Sequence, residues 1–248
     1  MSGPSKLSRA VLLALLLSAL AVLWLWYYPR AQGSRAVAAP ARIPDGPFVA
    51  LTFDDGPSSD TTPILLDGLA QRGIHATFFI IGQNVEGNEE LLLRMDREGH
   101  QIGMHTFHHR SLAGANGADF YAEVDQLRDT LFGLLGRKDF MLRPPYGAIT
   151  PSNRARVGAP IILWGVDPED WRDRDSDRQT AAILEHARDG SIILLHDIYD
   201  SSVETALRVA DELMAQGYKF VTVEELFALR GITPENGVEY RRLPPAAD

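Results

Sequence analysis

The chain contains no cysteine. That absence excludes a disulfide framework, a thiolate metal site, a cysteine nucleophile and a lipobox anchor. It says little about compartment, because a core of this size needs no crosslinks. The first 44 residues contain no acidic side chain, against five basic ones (Lys6, Arg9, Arg30, Arg35 and Arg42). With −9 over the whole chain and +5 in this stretch, the remaining 204 residues carry −14. So acidic a globular part argues against nucleic acid as a partner, since phosphate contacts need a basic surface. It suits a neutral substrate or a cationic product. No internal repeat is visible. Hydrophobic content of 45% and charged content of 23% are ordinary for a globular protein.

One long apolar run is present. Lys6 and Arg9 precede residues 10–28, which are apolar except for Ser18. As a helix at about 1.5 Å per residue this run spans about 28 Å, close to the hydrocarbon thickness of a bilayer. Trp24, Trp26, Tyr27 and Tyr28 cluster at its far end, where an aromatic belt sits. Residues 1–28 therefore read as a signal anchor, with a cleaved signal peptide as the alternative. The small-residue stretch Val37-Ala38-Ala39 lies too far beyond the run for ordinary cleavage. Residues 29–46, rich in Ala, Pro, Arg and Gly, read as a linker. The expectation is a single-pass protein of the cell membrane, with its folded part on the extracytoplasmic side, or a secreted one if the signal is cut.

From residue 47 onward, apolar runs alternate with amphipathic stretches. Strands are expected at 48–53, 76–81, 102–104, 140–142, 161–166, 192–195 and 220–223. Helices are expected at 62–72, 89–98, 118–135, 176–188, 203–216 and 223–230, with Gly73 and Gly99 ending the first two. Strands alternating with helices imply parallel βαβ units. The fold class is α/β: a distorted (β/α) barrel of about seven parallel strands, occupying residues 47–230. Residues 231–248, with three prolines, read as an irregular tail.

Five short segments, each just after an apolar run, gather most of the chain's metal-binding and proton-transferring side chains. They are Thr52-Phe53-Asp54-Asp55-Gly56-Pro57, His105-Thr106-Phe107-His108-His109, Arg143-Pro144-Pro145-Tyr146-Gly147, Asp167-Pro168-Glu169-Asp170-Trp171 and Leu194-Leu195-His196-Asp197. Chemistry placed repeatedly after strands is how a barrel or open sheet builds one pocket from distant sequence. His105 and His109 are four apart, so one helical turn would put both rings on one side; His108 lacks that relation. Two imidazoles and a carboxylate suit zinc, but also iron, cobalt or nickel. Asp54 and Asp55 are adjacent and point to opposite sides of an extended chain, so one can bind a metal while the other serves as a base.

Together the five segments resemble the five motifs of the polysaccharide deacetylases, the NodB-like carbohydrate esterase family 4, over roughly residues 47–229. Supporting matches are Ala76-Thr77-Phe78-Phe79-Ile80-Ile81-Gly82 and Gly217-Tyr218-Lys219-Phe220-Val221-Thr222-Val223. The resemblance implies Asp54 as general base, with Asp55, His105 and His109 as ligands of a divalent metal, zinc first and cobalt as an alternative. It implies Arg143 orienting Asp54, the Tyr146 backbone N–H holding the oxyanion, and Asp170 orienting His196, the general acid. Trp171 and Leu194 would line the pocket for the acetyl methyl. Arg110 stands where the family usually has proline, Met104 where a small polar residue is common, and the helix usual between Tyr146 and Ile161 is expected to shrink to a turn. The implied activity is removal of acetate from N-acetyl groups of an acetylated glycan polymer, peptidoglycan or chitin-like, by a monomer. Rival readings are an O-acetyl esterase on xylan, a non-catalytic glycan-binding relative, and an amidohydrolase on a small cyclic amide.

Overall fold

The computed structural model describes residues 45–245. The expected anchor at 1–28 and nearly all of the linker lie outside the described residues. Among those described, no helix is long and apolar enough to cross a membrane.

Strand β1, Phe48–Asp54, is buried along its whole length. Its near-continuous apolar run is what a parallel strand covered on both faces requires. It lies between β2 (Thr77–Ile80) and β5 (Ser191–His196), and β3 (Gln101–Met104) flanks β2, all in parallel register. Leu142 bridges Met104 of β3 on one side and Ile161 on the other. Ile161 and Ile162 form β4, and Val166 bridges Ile193 of β5. The pairing therefore runs from β5 through β1, β2, β3, Leu142 and residues 161–166 back to β5, so the sheet curls round on itself. Two short strands, β6 (Lys219–Phe220) beside β1 and β7 (Glu239–Tyr240) beside β4, widen one end. This is an α/β fold with a parallel sheet, consistent with a NodB-like barrel.

The period-2 alternation of the strands assigns their faces. Val49, Leu51 and Phe53 of β1, with Ile193 and Leu195 of β5, pack outward against helices α1 (Thr62–Arg72) and α7 (Asp200–Ala215). Phe48 and Ala50, with Phe79 and Ile192, face inward and are capped below by α8 (Val223–Leu229). The same inward phase carries Thr52 and then Asp54 on β1, and Leu194 and then His196 on β5, to the upper rim. Polar chemistry at the C-terminal strand ends follows directly from this phase.

The remaining helices, in chain order, are α2 (Glu89–Arg97), α3 (Gly117–Phe120), α4 (Gln126–Leu135), α5 (Pro151–Arg156) and α6 (Ser176–His186). Gly73 ends α1 in the left-handed region at φ 63°, as the sequence suggested. The single helix expected at 118–135 is α3 and α4 joined by a π-helical turn, Tyr121–Asp125. The strand expected at 140–142 is only the one-residue stave at Leu142, because Pro144 and Pro145 follow immediately and proline cannot extend a ladder. The strand expected at 220–223 ends at Phe220, where Thr222 caps α8 by accepting from the Glu225 N–H. Residues 151–156 keep a six-residue helix rather than a bare turn, capped by Thr150. The stretch read as an irregular tail carries β7 and buries Leu243.

Away from the rim, His100 is buried at 1% exposure, and its Nδ1 accepts from the Ala76 N–H. Burial, helped by the nearby His75, pushes it down from 6.5 to about 4. The native state thus keeps His100 neutral while the unfolded chain takes up a proton below 6.5. Its contribution to stability is complete above pH 6.5 and is lost as pH falls towards 4, by about 3 kcal/mol in all. Urea midpoints between pH 7 and 4.5 should fall less steeply in His100→Gln than in the wild type.

Candidate active site

Arg143 is fully buried yet well supplied with acceptors. Its Nε donates to the Ile162 carbonyl at 3.0 Å and Nη2 to the Leu163 carbonyl at 3.1 Å. Nη1 donates to Thr52 Oγ1 at 2.7 Å and to Asp54 Oδ1 at 2.8 Å. Asp54 is 2% exposed, so this is a buried ion pair with one carboxylate oxygen held and the other left toward the pocket. A buried charge survives only when paired and hydrogen-bonded in this way.

Asp55 follows Asp54 with φ 73°, and that left-handed step turns its carboxylate into the same pocket. The opposite-sides geometry expected of an extended pair therefore does not apply. Asp55 Oδ1 lies 3.4 Å from His105 Nε2 and 3.3 Å from His109 Nε2. One ligand atom from each of Asp55, His105 and His109 falls within 4.8 Å of the others.

The two histidines meet on a loop, not on the helical turn that their i, i+4 spacing suggested. Thr106 and His109 both take left-handed backbone, φ 64° and 59°, which folds the chain back within five residues. His105 Nδ1 bonds the Arg143 carbonyl at 2.7 Å, which makes it the donor and leaves Nε2 a free lone pair facing Asp55. Burial drives His105 down, so the imidazole is neutral and ready to coordinate. Asp55 Oδ1 is buried with no hydrogen-bond partner. Two imidazole lone pairs and an unpartnered carboxylate oxygen converging on one point are the donor set of a divalent metal, and these residues fit such an ion.

Across the pocket, Asp170 is fully buried and accepts three times. The His196 N–H and the Ser202 hydroxyl reach Oδ2 at 2.8 and 2.6 Å, and His196 Nδ1 reaches Oδ1 at 2.8 Å. Burial pushes His196 down, but the hydrogen bond and charge of Asp170, with Asp54 and Asp55 behind it, reverse this and hold it up to about 9. His196 is thus a protonated imidazole at neutral pH, its Nδ1–H spent on Asp170 and Nε2–H left to give. Asp197 lies directly under the Asp55–Gly56 turn: a side chain at Gly56 would come within 2.3 Å of Asp197 Oδ1, so only glycine fits there. Thr61 and Thr62 donate to Asp197 and fasten the turn.

Asp54, Asp55, His105, His109 and His196 line a cavity of about 390 Å³, together with Tyr146, Trp171 and Leu194. The residues expected from the sequence to form the site are thus brought to one place; Arg143 and Asp170 stand just behind the wall. Tyr146 sits at φ 62°, exposed at 71%, with its hydroxyl 3.3 Å from His109 Nδ1. Two lining residues were missed as site residues: Trp164 and Asp167. Asp167 accepts from the Trp164 indole and from the Glu169 N–H at 2.8 Å. A tryptophan inside the expected strand 161–166, three residues before the fourth segment, was the available signal for this wall.

Comparison with known proteins places this geometry among relatives. The family model described as polysaccharide deacetylase matches residues 41–158. A peptidoglycan-N-acetylglucosamine deacetylase of Listeria monocytogenes is 40% identical over 179 residues, covering 72% of this chain and 38% of that one. A protein of the same description from Bacillus cereus is 35% identical over 193 residues, covering 73% of this chain and 70% of that one. The chain spans about two fifths of the length of the Listeria relative. Among solved structures, a family 4 acetyl xylan esterase from Clostridium thermocellum with a cobalt ion superposes with TM-score 0.76 at 30% identity, covering 79% of this chain and 99% of that one.

Proposed function

Because the chain belongs to the polysaccharide deacetylase family, we propose that it hydrolyses N-acetyl groups of an acetylamino-sugar polymer, with bacterial cell-wall glycan as the substrate class. One observation carries this reading. A base held by a buried arginine (Asp54) and an acid held by a buried carboxylate (His196) flank three convergent metal ligands (Asp55, His105, His109). Binding alone requires no such proton-transfer pair, and the non-catalytic reading fails on that point.

Zinc, or cobalt in its place, held by Asp55, His105 and His109 would polarise the acetyl carbonyl and ease deprotonation of water. The residues of the chain supply the rest. Asp54 takes a proton from the attacking water through the carboxylate oxygen that Arg143 leaves free. The Tyr146 backbone N–H meets the negative charge that grows on the acetyl oxygen; one such donor is worth about 3 kcal/mol. His196 gives its Nε2 proton to the departing sugar nitrogen as the C–N bond breaks. Water and amide thereby become acetate and a free amine. Trp171 and Leu194, with Trp164, enclose the acetyl methyl. The product amine is cationic, which changes the charge of the glycan.

A second reading is supported by the acetyl xylan esterase neighbour: O-deacetylation of a glycan with the same residues. Acetate release from chitin oligomers and peptidoglycan, set beside release from acetylated xylan, separates the two. Release from the N-acetylated substrates alone is the expected result, and release from xylan alone would overturn it. The apolar run at 10–28 supports a single-pass anchor that holds a monomeric catalytic part outside the cell membrane.

A further inference from the structure

We propose that Glu123 is a positioning residue for metal binding, holding the loop that carries His105 and His109 in the one conformation that lets both rings converge. The inference rests on the metal site described above but on no particular substrate.

Glu123 lies in the π-helical turn Tyr121–Asp125, and its side chain is 1% exposed. A buried carboxylate is costly unless every oxygen is used. Here both are. Oε2 accepts the His108 N–H at 2.8 Å, and Oε1 meets His108 Nδ1 at 3.0 Å and Arg110 Nε at 3.6 Å. The backbone carbonyl of Glu123 also accepts the Phe107 N–H at 2.9 Å. One residue therefore takes two successive loop N–H groups, at positions 107 and 108, immediately before the ligand His109.

The loop needs such an anchor. Thr106, a β-branched residue, and His109 both sit in left-handed backbone, a conformation that persists only where the surroundings impose it. The opposite side of the loop is held by the Gly82 and Gln83 N–H groups, which donate to the Thr106 and Phe107 carbonyls. The Thr106 hydroxyl gives no help, being buried with no partner. The two held sides make a clamp, and Glu123 supplies its carboxylate.

The test is zinc affinity of the metal-stripped full chain by competition with a chromogenic chelator, alongside thermal melting of the same samples. The wild type should bind one zinc, and His105→Ala should lose it; if the wild type binds none, the metal-site reading itself fails and the inference falls with it. Glu123→Ala should weaken zinc by about 10- to 100-fold, as loss of partners behind metal ligands does. Arg128→Ala serves as the control. It removes a hydrogen bond to the Val157 carbonyl and a pair with Asp125 on the same stretch of helix, without touching the loop. Zinc binding should be unchanged in it. Should Glu123→Ala not fold, Glu123→Gln decides: its amide oxygen keeps the His108 N–H but the charge is gone, and zinc should weaken by at least about threefold. Wild-type affinity in the folded Glu123 variants would overturn the inference. So would an equal loss in Arg128→Ala at an equal drop in melting temperature.

Discussion

Asp54→Asn should release acetate about 10³-fold more slowly than the wild type while binding zinc with closely similar affinity. The substitution keeps the shape of the side chain and an oxygen that can accept from Arg143, so the pocket is preserved. It removes the only property a base needs, a carboxylate able to take a proton. Metal ligation should survive because Asp55, His105 and His109 hold that site, and Asp54 Oδ2 stands 3.7 Å from His105 Nε2 without belonging to the three. A second consequence follows from burial. Arg143 would lose its anionic partner at 0% exposure, and uncompensated buried charges cost about 3 to 5 kcal/mol. The melting temperature should therefore fall too, and rates must be compared at a temperature where both proteins are folded. Initial rates on N-acetylated oligomers, with chelator competition on the same samples, check both halves. Full activity in Asp54→Asn would assign the base elsewhere.

Asp170→Asn should move the alkaline limb of the kcat profile towards acid by two pH units or more and cut activity at pH 8 by about 100-fold. Burial alone pushes His196 down; the Asp170 hydrogen bond and charge are the main reason it stands at about 9. With asparagine in place, burial prevails and the imidazole is neutral at pH 8, with no proton to give. In the wild type the limb should lie somewhat below 9 when a cation is held nearby, since Asp54 and Asp55 also support the protonated ring. The raised value stabilises the fold fully below 6.5, and that contribution disappears as pH rises through about 9. Asp170→Asn should therefore be destabilised most at neutral pH and below. An unmoved limb with a uniformly lower kcat would mean that Asp170 only packs, and that another group donates the proton.

Much of the site was legible in the sequence because strand periodicity and chemistry coincide. Asp54 and His196 fall on the inward phase of their strands, at the ends, so reading the apolar runs as strands already aimed them at one rim. The helix at 118–135 was legible from Phe120, Val124, Leu127 and Leu131, all buried. Its π-helical turn was not, since the buried positions 120, 124, 127 and 131 keep the spacing of an ordinary α-helix. Glu123 offered a signal, a charged residue three places after Phe120 on an apolar face, which periodicity alone treats as noise. The His105–His109 spacing pointed to two rings that do converge, but by another route: they meet through left-handed backbone at Thr106 and His109, which no residue preference announces. The short strand β7 escaped because two paired residues leave no period to detect.

The proposed chemistry requires Asp55, His105 and His109 to share one ion. A crystal grown with zinc and measured on either side of the zinc absorption edge tests this most directly. The predicted result is a single anomalous peak about 2.0 to 2.2 Å from an Asp55 oxygen and from Nε2 of both histidines. A peak bound by other residues, or none at this point in a crystal soaked with zinc, would contradict it.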